Sequence, residues 1–379
     1  MIYFDNSASS YIKPKEVINA TIHGITSFSA NPGRSGHKLS MLCGEKVFEV
    51  REKVKRFINA EKVENVIFTQ GCTEALNIAV IGTMQKGGHI ILSSNAHNSL
   101  SRPIFELKKM GLIDVTVVSP SNNEMLTIDD IIPNVKPNTY LIAVNHVSNV
   151  NGDTTDIHQI GEYCAKNCIL FLVDCAQSAG HIKIDVQKDH IDMLALAPHK
   201  ALFALQGIGI FAFSIKTNPK PIKFGGTGTE SINTYQPNEY PECLESGTLA
   251  TPNIISLGAG IDYVSKNFDS ITKKVNDLST YILFELQKIE GVKTYTSVEN
   301  IHFGVIGFNI KDVDSQEIAS ILSDEFNICV RGGLHCAGLK HKELGTVNQG
   351  IVRASISYFN TFGECEYFVN SIKKIAKRY

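Results

Sequence analysis

The sequence predicts an α/β protein in which a large, doubly wound domain with a mainly parallel sheet precedes a smaller α+β domain. Between residues 60 and 215, short apolar runs alternate with helical patterns. These runs are continuously apolar, which is typical of strands that helices cover on both faces. A length of 379 residues also favours two domains over one.

The large domain is predicted to contain seven strands. They are the apolar runs over 65–69, 89–94, 114–119, 140–145, 169–174, 192–197 and 209–214. Helical patterns lie between most of them, for example over 72–84 and 156–167. Ligands of such sheets bind beyond the carboxyl ends of the strands, so the residues that follow each strand are the first candidates for function.

The small domain is predicted from a long helix and the elements that follow it. One apolar face of this helix, which stops at Gly291, is marked by Ile271, Val275, Leu278, Ile282, Leu286 and Ile289. Strands are predicted over 302–310, 327–333 and 350–357, with a helix over 315–326 and an amphipathic helix at the end. The predicted divisions are an N-terminal arm (1–13), a large domain (14–245) and a small domain (246–379).

Composition excludes several classes of function. The chain has 36 basic and 38 acidic residues without a charge run, which gives no basis for a nucleic-acid or anionic membrane surface. No apolar stretch reaches membrane-spanning length and the N-terminus lacks a signal-peptide pattern, so we expect a soluble, cytoplasmic protein. Nine cysteines, an odd number without any Cys-x2-Cys pair, indicate free thiols and predict no metal site.

The stretch TQGCTEALN (69–77) turns from a strand into a helix through Gly71. Exposed amides at a helix N-terminus, together with the Thr73 hydroxyl, make a site that suits phosphate. The alternative is that Thr73 only caps the helix. Neither a Walker-type lysine nor a G-x-G-x-x-G pattern is present, so a nucleotide is not indicated.

Two charged residues follow neighbouring apolar strands. Asp174 ends one of them, and Lys200 follows the next, beside His199. Taken alone, Asp174 could cap a helix and Lys200 could be a solvated loop residue. If the strands are parallel neighbours, both side chains open into one crevice. A phosphate site, an aspartate and a lysine prone to desolvation together fit pyridoxal 5'-phosphate: the lysine binds it covalently and the aspartate keeps its ring nitrogen protonated.

The chain resembles the class V aminotransferase superfamily of fold-type I pyridoxal-phosphate enzymes, and within it the cysteine desulfurase family. The resemblance extends from YFDNSAS (3–9) to VRASISYFNT (352–361). Between them the motifs are ANPGRSGH (30–37), FTQGCTEALN (68–77), AHNS (96–99), NHVSNVNG (145–152), VDCAQSAG (173–180), HKALFALQGIGIF (199–211), ESGTLATP (245–252) and VRGGLHCAGL (330–339).

The resemblance implies a role for each cofactor residue. Lys200 is the lysine that binds pyridoxal phosphate covalently, and Asp174 pairs with its ring nitrogen. His97, which could otherwise be a surface histidine, stacks on the ring, and Gln177 contacts the phenolic oxygen. The implied phosphate contacts are Thr73 and His199, with Thr248 donated by the second subunit of a homodimer, and Cys72 is a further implied cofactor contact.

The substrate residues follow from the same resemblance. Asn149, which also borders the cofactor, and Arg353 hold the substrate's α-carboxylate, for which a guanidinium is suited because it binds bidentately. Cys336 attacks the sulfur of L-cysteine and becomes a persulfide, which an acceptor protein then takes. We expect the neighbouring His335 and Arg331 to favour its thiolate. Without the resemblance, Cys336 could equally be a buried, inert thiol.

The chain departs from the family pattern at several positions. Ala197 stands where a phosphate-binding serine is often found, Cys243 and Leu244 replace an arginine and an aromatic residue, and Leu334 replaces a histidine. Because of these changes, the resemblance does not define the natural substrate or the protein that accepts the sulfur. The leading hypothesis is a type II-like cysteine desulfurase for iron–sulfur cluster or thio-cofactor assembly. The alternatives are a selenocysteine lyase, a class V transaminase or lyase that does not use Cys336, and a non-catalytic dimerising scaffold.

Overall fold

The computed structural model describes residues 1–33, 35–121, 125–298 and 303–379. Arg34 of the 30–37 motif and the first residue of the predicted strand over 302–310 lie outside this part of the chain. The elements up to the end of the large sheet are β1 (Ile2–Tyr3), α1 (Lys15–Ser27), α2 (Lys38–Ile58), β2 (Val66–Thr69), α3 (Cys72–Gly82), β3 (Gly88–Ser93), α4 (Asn98–Lys109), β4 (Ile113–Val118), α5 (Ile128–Ile131), β5 (Thr139–Asn145), α6 (Ile157–Lys166), β6 (Leu170–Asp174), β7 (Met193–Leu196) and β8 (Gly209–Phe213).

The remaining elements begin with a helix of 37 residues. They are α7 (Thr251–Gln287), β9 (Val292–Thr294), β10 (Val305–Ile310), α8 (Ser315–Phe326), β11 (Ile328–Cys329), α9 (Gly338–Glu343), β12 (Val352–Ser355) and α10 (Phe362–Ala376). The helix predicted over 315–326 has the predicted bounds. The long predicted helix begins earlier than its apolar face indicated, and the strand predicted over 327–333 is limited to β11.

The large sheet has the strand order β2-β8-β7-β6-β5-β3-β4. Neighbouring strands from β7 to β4 are parallel, whereas β8 is antiparallel to both β7 and β2. The prediction of a mainly parallel sheet is confirmed, and all seven predicted strands are present. Since only β8 runs against the others, the carboxyl ends of the remaining strands meet at one edge of the sheet.

Burial on both faces explains why the strands are continuously apolar. Every residue of β5 is buried. Ile142 and Val144 belong to the hydrophobic cluster on one face, and Leu141 and Ala143 to the cluster on the other. Successive side chains of a strand point to opposite faces, so a strand covered by helices on both sides needs apolar residues at every position.

The C-terminal region has a core of its own. Strands β9, β10 and β12 form an antiparallel sheet in the order β12-β10-β9, and the N-terminal β1 pairs in parallel with β11. Helix α7 contributes to two cores: Ile254 and Ile261 pack in a cluster of the large sheet, while Ile282 and Leu286 pack against the small one. The division into three segments stays a prediction, because α7 joins both cores.

None of the helices in the described ranges is long and apolar enough to cross a membrane. Within the same ranges, no three His, Cys, Asp or Glu side chains are grouped so that they could bind a metal ion.

Candidate active site

A cavity of about 380 Å³ lies at the carboxyl ends of the strands of the large sheet. Its lining includes Ser7, Gln70, Asn145 and Arg331, to which the sequence analysis assigned no cofactor or substrate contact. The structure brings most of the predicted site residues together here, namely Cys72, Thr73, His97, Asn149, Asp174, Gln177, His199, Lys200 and Arg353. Thr248 and Cys336 do not line this cavity. Residues predicted from six separate motifs thus converge on the edge where a doubly wound sheet binds ligands.

Asp174 and Lys200 are brought together by the parallel pairing of β6 and β7, in which Asp174 lies opposite Ala195. The Asp174 carboxylate accepts hydrogen bonds from the Ala176 amide at 2.9 Å and from Asn145 Nδ2 at 3.3 Å. Burial raises the pKa of Asp174 and lowers the pKa of Lys200. A cationic group bound beside Asp174 would therefore relieve the cost of burying its charge.

Helix α3 presents an uncapped N-terminus to the cavity. Gly71 is its N-cap residue, and among the described residues no side chain caps its first turn. The alternative in which Thr73 only caps the helix is therefore wrong. The backbone of β8 approaches so closely that a Cβ on Gly209 would lie 2.3 Å from the carbonyl carbon of Gly71. Free amides at a helix N-terminus bind anions such as phosphate.

His199 lies at the same end of the cavity. Its Nδ1 is buried and has no hydrogen-bond partner in the described part of the chain. Burial and the charges of Lys200 and Lys13 lower its pKa to about 4, so the ring is neutral near pH 7. Ala197 lines the cavity nearby and offers no hydroxyl. A phosphate placed here would be contacted by the uncharged His199 ring and the backbone amides at the start of α3.

His97 precedes α4 and caps it, because its Nδ1 accepts a hydrogen bond from the Ser99 amide at 3.1 Å. Burial and the charges of Lys200 and Arg331 lower its pKa to about 4. The ring is therefore neutral near pH 7, and its proton is on Nε2 because Nδ1 is an acceptor. Its capping contact fixes the orientation of a ring that lines the cavity.

Arg353 lies on β12 with 1% of its surface exposed. Its Nη1 donates to the Asn149 carbonyl at 2.9 Å, and its Nη2 forms an ion pair with Asp5 at 2.6 Å. Its Nε is buried without a partner among the described residues, as is Oδ1 of Asn149. A guanidinium that still has an unused donor is suited to a carboxylate. Asp5 was missed by the sequence analysis, although it belongs to the quoted YFDNSAS motif.

Cys336 has an exposed side chain outside the cavity lining, in the loop between β11 and α9. Its Sγ lies 3.8 Å from Nη2 of Arg331, which does line the cavity. Its carbonyl accepts a hydrogen bond from the Asn98 amide at 2.7 Å, directly after His97. The thiol thus lies at the margin of the cavity, and the alternative of a buried thiol is wrong.

His335 does not act on Cys336 as expected. It is 2% exposed, and its Nε2 lies 2.8 Å from the Ile351 carbonyl. Burial, followed by the charge of Arg353, lowers its pKa well below the usual range. A neutral, buried ring cannot supply positive charge to the thiol, so Arg331 is the only one of the two predicted neighbours that does.

Thr248 is exposed on the segment that precedes α7. Its predicted contact with the phosphate in a second subunit stays a prediction. Cys243 and Leu244, which depart from the family pattern a few residues earlier, are buried in the core beside the large sheet.

The residues present fit pyridoxal phosphate. Buried polar atoms without partners in the described ranges surround the cavity: Oδ1 of Asn145 and Asn149, Nδ1 of His199 and Nε of Arg353. Native proteins rarely leave buried polar atoms unpaired, so such a group indicates a polar ligand. An uncapped helix N-terminus for phosphate, a buried aspartate for a cationic ring nitrogen and a partly buried lysine with a lowered pKa complete the set.

The family model described as Aminotransferase class-V matches residues 2–368. The chain belongs to the class V aminotransferase family. A probable cysteine desulfurase of Methanothermobacter thermautotrophicus is 33% identical over 383 residues, which cover 99% of this chain and 94% of the relative. A probable cysteine desulfurase of Pyrococcus abyssi is also 33% identical, with 100% of this chain and 94% of the relative covered.

A solved structure shows the same fold. The apo structure of a cysteine desulfurase from Thermococcus onnurineus superimposes with a TM-score of 0.93 at 31% identity, over 100% of this chain and 95% of that one. This class V enzyme is therefore homologous to cysteine desulfurases over its full length. The family is typically dependent on pyridoxal phosphate.

Proposed function

We propose that this class V enzyme is a pyridoxal-phosphate-dependent cysteine desulfurase, which converts L-cysteine to L-alanine and leaves a persulfide on Cys336. The observation that carries the proposal is the exposed Cys336 thiol, 3.8 Å from an arginine that lines the cavity of Lys200 and Asp174. A transaminase would not need a thiol at this margin. The names of the relatives and of the superimposed structure agree with this choice.

Within this proposal, Lys200 attaches the cofactor covalently and Asp174 pairs with its ring nitrogen. The amides and hydroxyl at the start of α3, with His199, contact the phosphate, and the neutral His97 ring stacks on the cofactor. Bound pyridoxal phosphate supplies an electron sink for bonds at the substrate's α-carbon. Gln177 is proposed to contact the phenolic oxygen; its Nε2 donates to the Ser7 carbonyl at 3.1 Å.

L-cysteine is bound by its α-carboxylate through Arg353 and Asn149. Lys200 would then be the base that takes the α-proton once the substrate's amino group has replaced it on the cofactor, because burial lowers the pKa of its Nζ and favours the neutral amine.

Sulfur transfer uses the Cys336 thiolate as the nucleophile. A bond forms between Cys336 Sγ and the substrate's sulfur while the bond from that sulfur to the substrate's β-carbon breaks. The electron pair of the broken bond stays with the β-carbon, which takes a proton, so alanine leaves and the sulfur remains on Cys336. An acceptor protein can reach this sulfur because the Cys336 side chain is exposed.

The proposed enzyme is a homodimer. Apolar side chains are exposed on α1, on α2 and on the segment before α7, where Ile232 is 100% exposed. The others are Ile18, Ile22, Ile25, Leu39, Met41, Phe48, Phe224 and Tyr235. Exposed apolar side chains grouped on these elements are typical of an interface. The exposed Thr248 lies on the same segment, three residues before α7, as a contact donated to the partner's phosphate would require.

The proposal predicts that purified protein loaded with pyridoxal phosphate releases L-alanine and sulfide from L-cysteine in equal amounts when a reductant is present. The reaction should need no 2-oxo acid, because the amino group stays on the product. The measurement is the yield of both products by chromatography and sulfide assay, with L-selenocysteine as the second substrate. Turnover of L-selenocysteine alone would favour a selenocysteine lyase, and amino transfer to a 2-oxo acid would favour a transaminase; either result contradicts the proposal.

Arg353→Lys should raise the KM for L-cysteine by about tenfold or more while kcat changes little. A lysine has no counterpart of the unpartnered Nε donor beside the contacts to Asp5 and the Asn149 carbonyl, and a hydrogen bond to a charged group contributes about 1.5–3 kcal/mol. Steady-state alanine formation measures both constants, and Arg56→Lys at an exposed position of α2 is the control. A fall in kcat with an unchanged KM would contradict the assignment of Arg353 to substrate binding.

A further inference from the structure

A buried cluster of charges lies behind the loop that carries Cys336. Lys340 Nζ is 2.7 Å from Oδ2 of Asp153 and 2.5 Å from Oε1 of Glu343. The three side chains, called the Lys340 cluster below, are 0%, 2% and 9% exposed. The other carboxylate oxygen of Glu343 accepts a hydrogen bond from the Ser94 hydroxyl.

Stability alone does not account for such a cluster. Withdrawing charges from water costs about as much free energy as the attraction between them returns, and apolar side chains of similar volume often serve equally well. A buried ionic group does specify geometry, because it tolerates only the arrangement that pairs all of its charges. The role of the Lys340 cluster therefore lies in the arrangement that it imposes.

The cluster joins α9 to the two segments that border the cavity. Lys340 and Glu343 lie on α9, which begins two residues after Cys336. Asp153 belongs to the loop after β5, the loop that also contains Asn149. Ser94 follows β3, three residues before His97. The start of α9 is thus fixed against segments that carry predicted substrate and cofactor contacts.

The loop itself is in a backbone conformation that needs outside support. His335 and Cys336 have φ values of +49° and +56°, in the left-handed region that residues other than glycine seldom adopt. Such a conformation is strained and persists only where the surroundings impose it. On one side the Asn98 amide binds the Cys336 carbonyl at 2.7 Å. On the other side, α9 is bound through the Lys340 cluster.

We propose that Lys340 is a positioning residue that holds α9, and through it the Cys336 thiol, at the margin of the cavity for attack on the substrate's sulfur. The inference rests on the proposed function, in which Cys336 takes that sulfur. Lys340 touches neither the substrate nor the cofactor in this account. Its loss should slow sulfur transfer without weakening the binding of L-cysteine, which depends on Arg353 and Asn149.

The test compares Lys340→Met with Lys342→Met, which removes an exposed lysine from the same helix. Protein loaded with pyridoxal phosphate is mixed with L-cysteine for a single turnover, and the persulfide on Cys336 is quantified by mass spectrometry at successive times. Binding is measured separately, as the dissociation constant for L-cysteine from the change in visible absorption, with Cys336→Ala added to each variant so that no transfer occurs.

Lys340→Met should form the persulfide about tenfold or more slowly, since a displacement of about 1 Å at a reacting atom can cost about a hundredfold. The dissociation constant of Lys340→Met for L-cysteine should stay within about twofold of the parent value. Lys342→Met should match the parent in both the rate of persulfide formation and this dissociation constant. If Lys340→Met fails to fold, the triple variant Asp153→Asn, Lys340→Met, Glu343→Gln removes the unpaired charges and is tested instead. A folded variant of either kind that transfers sulfur at the parental rate, or whose loss lies in L-cysteine binding, overturns the inference.

The two proposals fail in different ways. If the protein with its native residues forms no persulfide from L-cysteine, the proposed function is contradicted, and the role of Lys340 falls with it. If that protein forms the persulfide and the Lys340 variants do so equally fast, only the inference about Lys340 is overturned.

Discussion

Lys200→Ala should abolish turnover of L-cysteine, with a loss of about a thousandfold or more. The variant loses both the covalent attachment of the cofactor and the base that takes the α-proton. It should also lose the visible absorption of a lysine-bound cofactor, because no other lysine lines the described part of the cavity. Absorption spectra and alanine release measure the two losses separately.

Lys188→Ala is the matched control, since Lys188 is exposed and does not line the cavity. It should retain the colour and the activity of the unchanged protein. Thermal unfolding of Lys200→Ala would show whether the fold survives. A folded Lys200→Ala protein that is still coloured by a covalently bound cofactor would contradict the assignment of Lys200.

Cys336→Ala should lower persulfide formation and sulfide release from L-cysteine by about a hundredfold or more, because the nucleophile for sulfur is removed. Cofactor binding and the dissociation constant for L-cysteine should change little. The expected combination is therefore a normal spectrum with very slow turnover. Because the Cys336 side chain is exposed, its truncation leaves no cavity in the core.

Cys168→Ala is the control for this variant, since Cys168 is exposed as well and does not line the cavity. Its activity should equal that of the unchanged protein. If Cys336→Ala turned over L-cysteine as fast as Cys168→Ala, the chemistry would not use this thiol. Another reaction of the class V family would then be the better account.

The strands of the large sheet could be predicted because their surroundings simplify the sequence pattern. Helices cover β5 and β6 on both faces, so their residues are apolar almost without interruption. The same reasoning placed Asp174 and Lys200 at one edge, because parallel strands present their carboxyl ends together. Pyridoxal phosphate was predicted from three features that are weak individually and share this edge: the phosphate site at the start of α3, Asp174 and Lys200.

The beginning of α7 could not be predicted because tertiary contacts override its helix propensity. The first half contains Gly258 and Gly260, which disfavour a helix on their own. A Cβ on Gly258 would lie 2.8 Å from Val50, and one on Gly260 would lie 2.0 Å from the Leu202 carbonyl oxygen. These glycines permit close packing that is visible only in the folded protein.

The details around Cys336 and Arg353 were also beyond the sequence. Adjacent positions suggested that His335 would assist Cys336, but the left-handed backbone directs the two side chains differently, one into the core and one to the surface. The ion pair between Asp5 and Arg353 joins residues 348 positions apart. Such contacts arise where the segment after β1 pairs with β12, with Asp5 opposite Ser355, which no local pattern encodes.

Persulfide formation on Cys336 is measured by the mass of the Cys336 peptide after one turnover with L-cysteine. We expect this peptide to gain the mass of one sulfur atom, a reductant to remove the gain, and one L-alanine to be released for each sulfur bound. The Cys168 peptide from the same sample should be unchanged. Alanine release without added sulfur on Cys336, or sulfur found on another cysteine, would contradict the account.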